Sequence, residues 1–309
     1  MPLHPVAADL LRQAAESGRP NAHLLPIEEA RANFEATFAA LPVEDVALTK
    51  ELSVPALGHD IPVRLYRPEG ADAAAPVVVY LHGGGWQMGS LDSHDGICRV
   101  LANRTGFVVL GVEYRRPPEH PFPAAPDDCY AALVWVVDNA ARLGIDQGRV
   151  ALAGDSAGGN LAAAVALRAR DEGGPAVGSQ VLFYPATTFD LAVGFEPEFE
   201  GIVLFRDEVQ WHKDAYFQNV DDASSPQACP LGADLAGLPP TLVITAEYDP
   251  IRPQGELFAA KLAEAGVEVR HRNYAGMIHG FAQFPALFDL ADDAVEEAAG
   301  FLRGRLADG

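Results

Sequence analysis

The chain has 309 residues, with 22 Lys plus Arg against 43 Asp plus Glu and a formal net charge of −21. With 49% hydrophobic and 21% charged residues it reads as a single globular domain, residues 1–309, large enough to fold without staples. So acidic a surface repels phosphate backbones and anionic lipids, which argues against nucleic acid and membranes as partners.

Two helices are expected first, at 5–16 and 26–41, each with a Pro near its start and apolar residues at three-to-four spacing. The N-terminus shows no basic leader and no apolar core of signal-peptide length. Cys98, Cys129 and Cys229 are too few and scattered for a disulfide framework and read as buried thiols. Together these features suggest a cytoplasmic protein. A β pair follows at 46–54 and 61–66, the second arm alternating Ile61, Val63 and Leu65.

From residue 76 the pattern becomes short continuous apolar runs separated by amphipathic stretches. Strands are expected at 77–81, 107–112, 150–153, 180–183, 241–245 and 267–270. Helices are expected at 96–103, 124–139, 157–170, 253–265 and 287–302. Runs buried on both faces and alternating with helices predict an α/β fold with a mostly parallel central sheet. Residues 187–239 break the alternation, with one helical piece at 206–217 and no strand. A segment that long reads as a helical cap over the sheet edge, together with residues 1–41.

The strongest chemical signal is Gly154-Asp155-Ser156-Ala157-Gly158, between a strand and an Ala/Leu-rich helix. A tight strand-to-helix turn with small flanking residues lifts the serine oxygen above the sheet, at a helix N-terminus. The run His82-Gly83-Gly84-Gly85-Trp86 follows the strand at 77–81. Its glycines allow backbone N–H groups to face inward, as acyl transfer requires where an oxyanion forms. That role falls to the N–H groups of Gly84, Gly85 and Ala157. A phosphate loop would carry Gly-x-x-x-x-Gly-Lys, and no Lys is near. His82 reads as a hydrogen-bonding residue that shapes the loop.

A nucleophilic serine needs a base, and the base an orienting carboxylate. The chain order in this architecture is serine, acid, histidine. Asp249 closes the run 241–249, and His279 lies between Gly276 and Gly280 in a flexible loop beyond the next strand. His271 falls within or at the end of a strand and His212 in the cap helix. Asp190, Asp221 and Asp222 follow no strand. No Cys/His cluster suggests a metal.

The segments HGGGW (82–86), YRRPPEHPFPAAPDD (114–128), GDSAGGN (154–160), AEYDP (246–250) and MIHGF (277–281) carry a resemblance. Together they resemble the hormone-sensitive-lipase-type (bacterial class IV) family of α/β-hydrolase carboxylesterases, from about Leu65 onward. The resemblance implies an α/β-hydrolase fold with a mobile cap and no cofactor. It implies a serine carboxylesterase that cleaves small-molecule esters of short-to-medium acyl chain through an acyl-enzyme. It implies Ser156, Asp249 and His279 as the triad and the same oxyanion donors. It further implies Asp155 and Glu119 as hydrogen-bonding braces, and a homodimer paired through the sheet edge. The chain departs from the family at Arg116 and Pro117, where Leu and Ala are common, and at Arg252-Pro253-Gln254. An amidase or lactonase would use the same triad. Plant gibberellin receptors resemble the family but lack the catalytic histidine, which is present here as His279.

Overall fold

Eight strands form one sheet in a computed structural model that describes residues 1–307. They are β1 (Leu48–Ala56), β2 (His59–Arg67), β3 (Ala75–Leu81), β4 (Val108–Val112), β5 (Ile145–Asp155), β6 (Ser179–Phe183), β7 (Thr241–Tyr248) and β8 (Val269–Ile278). Their spatial order is β1-β2-β4-β3-β5-β6-β7-β8. The pairs β1/β2 and β2/β4 are antiparallel, and every pair from β4 to β8 is parallel. Every residue of β3, β4 and β6 is buried, as the continuous apolar runs require.

The helices are α1 (Pro5–Glu16), α2 (Ile27–Ala39), α3 (Asp95–Thr105), α4 (Ala124–Asp138), α5 (Ala140–Leu143), α6 (Ala157–Asp171), α7 (Leu191–Gly194), α8 (Arg206–Tyr216), α9 (Arg252–Glu264) and α10 (Asp289–Leu306). Alternate side chains of β3 enter opposite layers, because strand residues point alternately up and down. Val77, Val79 and Leu81 join Leu133, Leu161 and Phe258 of α4, α6 and α9. Val78 and Tyr80 join Leu101, Val295 and Leu302 of α3 and α10.

Several strands are longer than their sequence suggests, β5 and β8 most of all. β5 begins at Ile145, whose partner is Ala75, and an irregularity separates this pair from Val77↔Val150. The polar stretch from Asp146 to Arg149 conceals that start. β8 continues to Ile278, well past residue 270, because its first half is an exposed sheet edge with polar residues at Arg270–Asn273. His279 therefore follows the strand directly and does not sit in mid-loop. Residues 187–239 contain α7, α8 and short 3-10 turns but no strand. Cys98 and Cys129 are buried, Cys229 is partly so, and all three are free thiols. Among the described residues, no helix is long and apolar enough to cross a membrane.

The N-terminal helices lie against different parts of the sheet's C-terminal side. The His4 N–H, just before α1, donates to the Gly276 carbonyl of β8 at 2.9 Å. α2 reaches the loops after β3 and β4 through Arg31.

Candidate active site

Ser156 stands between the end of β5 and the first residue of α6, with φ 54° and ψ −116°. A non-glycine residue rarely occupies positive φ, so the turn stores strain at the serine. Its flanking glycines are forced by contact. A Cβ at Gly158 would fall 1.9 Å from the Leu81 carbonyl oxygen, and one at Gly154 would fall 2.3 Å from that of Gly158. Helix α6 can start this close to β3 only without those side chains.

The three expected chemical residues meet. His279 Nε2 lies 2.9 Å from Ser156 Oγ, and its Nδ1 lies 2.7 Å from Asp249 Oδ2. Asp249 is fully buried, directly follows β7, and its Oδ1 accepts from the Ile251 N–H at 2.9 Å. The pairing with Asp249 places the His279 proton on Nδ1 and leaves Nε2 free to accept from the serine hydroxyl. Tyr184 packs its ring 4.9 Å from the His279 ring, fixing the imidazole from the side. His271, in β8, instead meets Thr245 at 2.9 Å, and His212 lies on α8.

The glycine loop lies beside this constellation. Among the described residues, no group accepts a hydrogen bond from the N–H of Gly84, Gly85 or Ala157. Ala157 also opens α6, where the helix dipole favours negative charge. His82 is buried, stacks on Tyr114 at 4.1 Å between centroids, and places Nδ1 2.9 Å from the Gly83 carbonyl. Burial, aided by neighbouring His94, drives its pKa well below the usual histidine range, so it is neutral. It does not reach Ser156, and it braces the loop.

Asp155 is the hub of a second, fully buried polar cluster. Its carboxylate accepts from Tyr80 at 2.9 Å, from the Gly83 N–H at 3.0 Å and from Gln283 at 2.5 Å. His94 Nε2 stands 3.2 Å away. Burial pushes this carboxyl up, but His94 and the hydrogen bonds outweigh it and hold the group below its usual value. One side chain thus ties the serine turn to the glycine loop. Glu119 stands apart from Ser156, His279 and Asp249. Its half-exposed carboxylate pairs with Arg31 of α2 at 2.7 Å.

Tyr80, His94, Gln283 and Arg31 were not legible as site residues. Tyr80 looks like one more apolar strand position, and the others lie on turns or helices where polar residues are common. The departures from the family pattern have local partners. Arg116 bonds the Gly89 carbonyl and lies 3.3 Å from Glu113. Arg252 pairs with Glu196 of the inserted segment at 2.6 Å. No group of three or more His, Cys, Asp and Glu able to hold a metal occurs among the described residues.

Residues 78–283 match a family model described as an alpha/beta hydrolase fold. A carboxylesterase, NlhH, from Mycobacterium tuberculosis (strain H37Rv) is 43% identical over 252 residues, covering 80% of this chain and 79% of that protein. An ethyl acetate hydrolase from Pseudomonas putida is 36% identical over 315 residues, covering 96% of each. The solved structure of a hyperthermophilic esterase from the archaeon Pyrobaculum calidifontis superposes with a TM-score of 0.90. It is 41% identical and is covered to 99%, over 98% of this chain.

Proposed function

The chain belongs to the hormone-sensitive-lipase-type family of α/β-hydrolases and is a carboxylic ester hydrolase, and on that premise we propose that Ser156, His279 and Asp249 perform the reaction. The observation that carries the proposal is the unbroken chain of contacts, 2.9 Å from serine to histidine and 2.7 Å from histidine to aspartate.

Ser156 Oγ attacks the ester carbonyl carbon as its proton passes to His279 Nε2. The carbonyl oxygen becomes an oxyanion, which the unpartnered N–H groups of Gly84, Gly85 and Ala157 stabilise. Asp249 keeps the imidazole in the correct tautomer and stabilises its cationic form. The tetrahedral adduct collapses, the C–O bond to the alcohol breaks, and His279 gives its proton to the leaving oxygen. An acyl-serine remains. Water then adds to the acyl carbon, again losing a proton to His279, and the carboxylic acid leaves as Ser156 regains its proton.

The preferred substrates are small esters of short-to-medium acyl chain. Residues 1–41 and 187–239 form the cap. In its support, the His23 ring lies 6.4 Å from Phe205, so the N-terminal segment and the insertion adjoin. The test is a pre-steady-state measurement with excess p-nitrophenyl butyrate, followed by mass spectrometry of a phosphonate-treated sample. A stoichiometric burst and an adduct on Ser156 are expected. An adduct elsewhere, or undiminished hydrolysis by Ser156→Ala, would remove the assignment.

A further inference from the structure

Glu208 and His212 lie four residues apart on α8 and so share one helix face. Both are buried, at 8% and 6% exposure. The reaction described above uses neither. That face meets the glycine loop. A Cβ built on Gly85 would fall 2.2 to 2.4 Å from three atoms of the His212 ring, so the imidazole rests directly on a proposed oxyanion donor. Gln87 Nε2 donates to His212 Nδ1 at 2.9 Å, which leaves the ring proton on Nε2. Burial, with His23 nearby, pushes His212 down to about 3, so the ring is a neutral donor.

Glu208 lies one turn earlier. Burial pushes its carboxyl up to about 7, against the Phe205 N–H and the nearby His279, which draw it down. No side-chain hydrogen bond is among the causes, and His279 acts on the carboxyl only through space. A carboxyl this buried costs stability when ionised unless its oxygens find donors. A bound molecule with a matching donor would supply the missing partner.

We propose that Glu208 and His212 form a polar recognition site beside the oxyanion loop, for esters that carry a hydrogen-bond donor, an ammonium or a hydroxyl, a few bonds from the scissile carbonyl. Glu208 accepts from that donor. His212 Nε2–H donates to a hydroxyl oxygen on the same substrate, or stands aside for an ammonium. The net charge of −21 draws cationic esters toward the protein in the same sense. This proposal rests on the esterase reading and specifies its substrate.

Ethyl butyrate, ethyl 3-hydroxypropanoate and ethyl 3-aminopropanoate, of matched acyl length, test it. Butyl acetate and 3-hydroxypropyl acetate form the matched pair on the alcohol side. The readout is kcat/KM for each polar ester divided by that for its apolar isostere, in wild type, Glu208→Leu and Glu208→Gln. Both esters meet the same Ser156 and His279, so whatever is common to their chemistry cancels in the ratio. Glu208→Leu should lower the ratio about tenfold or more in at least one series. Glu208→Gln should keep the hydroxyl ratio and lose the ammonium ratio, since an amide still accepts but carries no charge. In the wild type the ammonium ratio should rise with pH through about 7 as Glu208 ionises; His279 is the titratable group that acts on it, and His23 acts on its helix neighbour His212. Glu208→Gln should flatten that rise.

Ratios within about twofold of wild type in both variants would overturn the proposal. If Glu208→Leu does not fold, the Gln variant and the pH profile decide. The esterase reading fails separately, if the wild type leaves ethyl butyrate uncleaved.

Discussion

Arg31 of α2 grips Glu119 through two N–H···O bonds of 2.7 and 2.8 Å, across 88 positions of sequence. The same guanidinium donates to the Gln87 carbonyl at 2.8 Å and to the Pro117 carbonyl at 2.9 Å. One side chain therefore ties an N-terminal helix to the glycine loop and to the segment after β4. Its hydrogen bonds hold Glu119 at about 2. Arg31→Ala should lower kcat/KM about tenfold with little change in circular dichroism, because a charge-assisted fork is lost but the sheet is not. Deleting residues 1–41 should cost more activity than sheet content. Full-rate turnover by the truncated chain would mean these helices have no part in the site.

Asp249→Asn should lower kcat on the order of 10⁴-fold at neutral pH, because an amide can hold the wrong histidine tautomer. Steady-state kinetics of wild type and variant, side by side at neutral pH, check this. A variant with near-normal kcat would place the orienting acid elsewhere. Glu247, which accepts from the Gly276 N–H at 2.7 Å, would be examined next.

Short esters should be turned over faster than long ones. The segment 187–239 mixes Phe189, Phe195, Phe205, Trp211 and Phe217 with many acidic residues. Among the described residues it offers no broad exposed apolar face of the kind emulsified fat requires, with Val193 its one large exposed apolar side chain. A panel of p-nitrophenyl esters from acetate to palmitate measures this. Activity that rises from butyrate to palmitate would contradict it.

Helix α8 should carry its own pH signature. His212 is held at about 3 against 6.5 in an unfolded chain, so its stabilising contribution is complete above 6.5 and is lost as pH falls toward 3. Glu208, raised from 4.5 to about 7, acts oppositely: its contribution is complete below 4.5 and is lost as pH rises through about 7. Between 4.5 and 6.5 the two slopes cancel, and below 4.5 His212 acts alone. His212→Phe should therefore gain stability relative to wild type as pH drops from neutrality to about 4, by on the order of 3 kcal/mol. Denaturant melts of both proteins along a pH series test this. An offset that does not vary with pH would show that His212 is not held neutral.

The interior of the fold and the positions proposed for the triad are legible because both depend on local pattern. Strands such as β3 and β4 are apolar on both faces, and the turns that carry Ser156 and Asp249 directly follow such strands. The edges were harder to read. Arg270–Asn273 pair with one neighbour and face water, so their polarity resembles a loop. Long-range polar contacts left no pattern at all. Nothing near Arg31 announces that it will meet Gln87 and Glu119. Likewise, nothing around Gln283 foretells its 2.5 Å bond to Asp155, because such pairings exist only once the helices are docked.

Ser156 and His279 belong to regions of unequal durability. The serine follows β5, bordered on both sides, whereas the histidine follows β8, an edge strand with one neighbour. Fraying at such a margin takes less free energy than melting the interior. Mild denaturant should therefore silence hydrolysis while most of the sheet persists. In a urea titration, the loss of turnover should come at a lower concentration than the loss of far-ultraviolet ellipticity. If the two curves coincide, the margin melts only together with the whole.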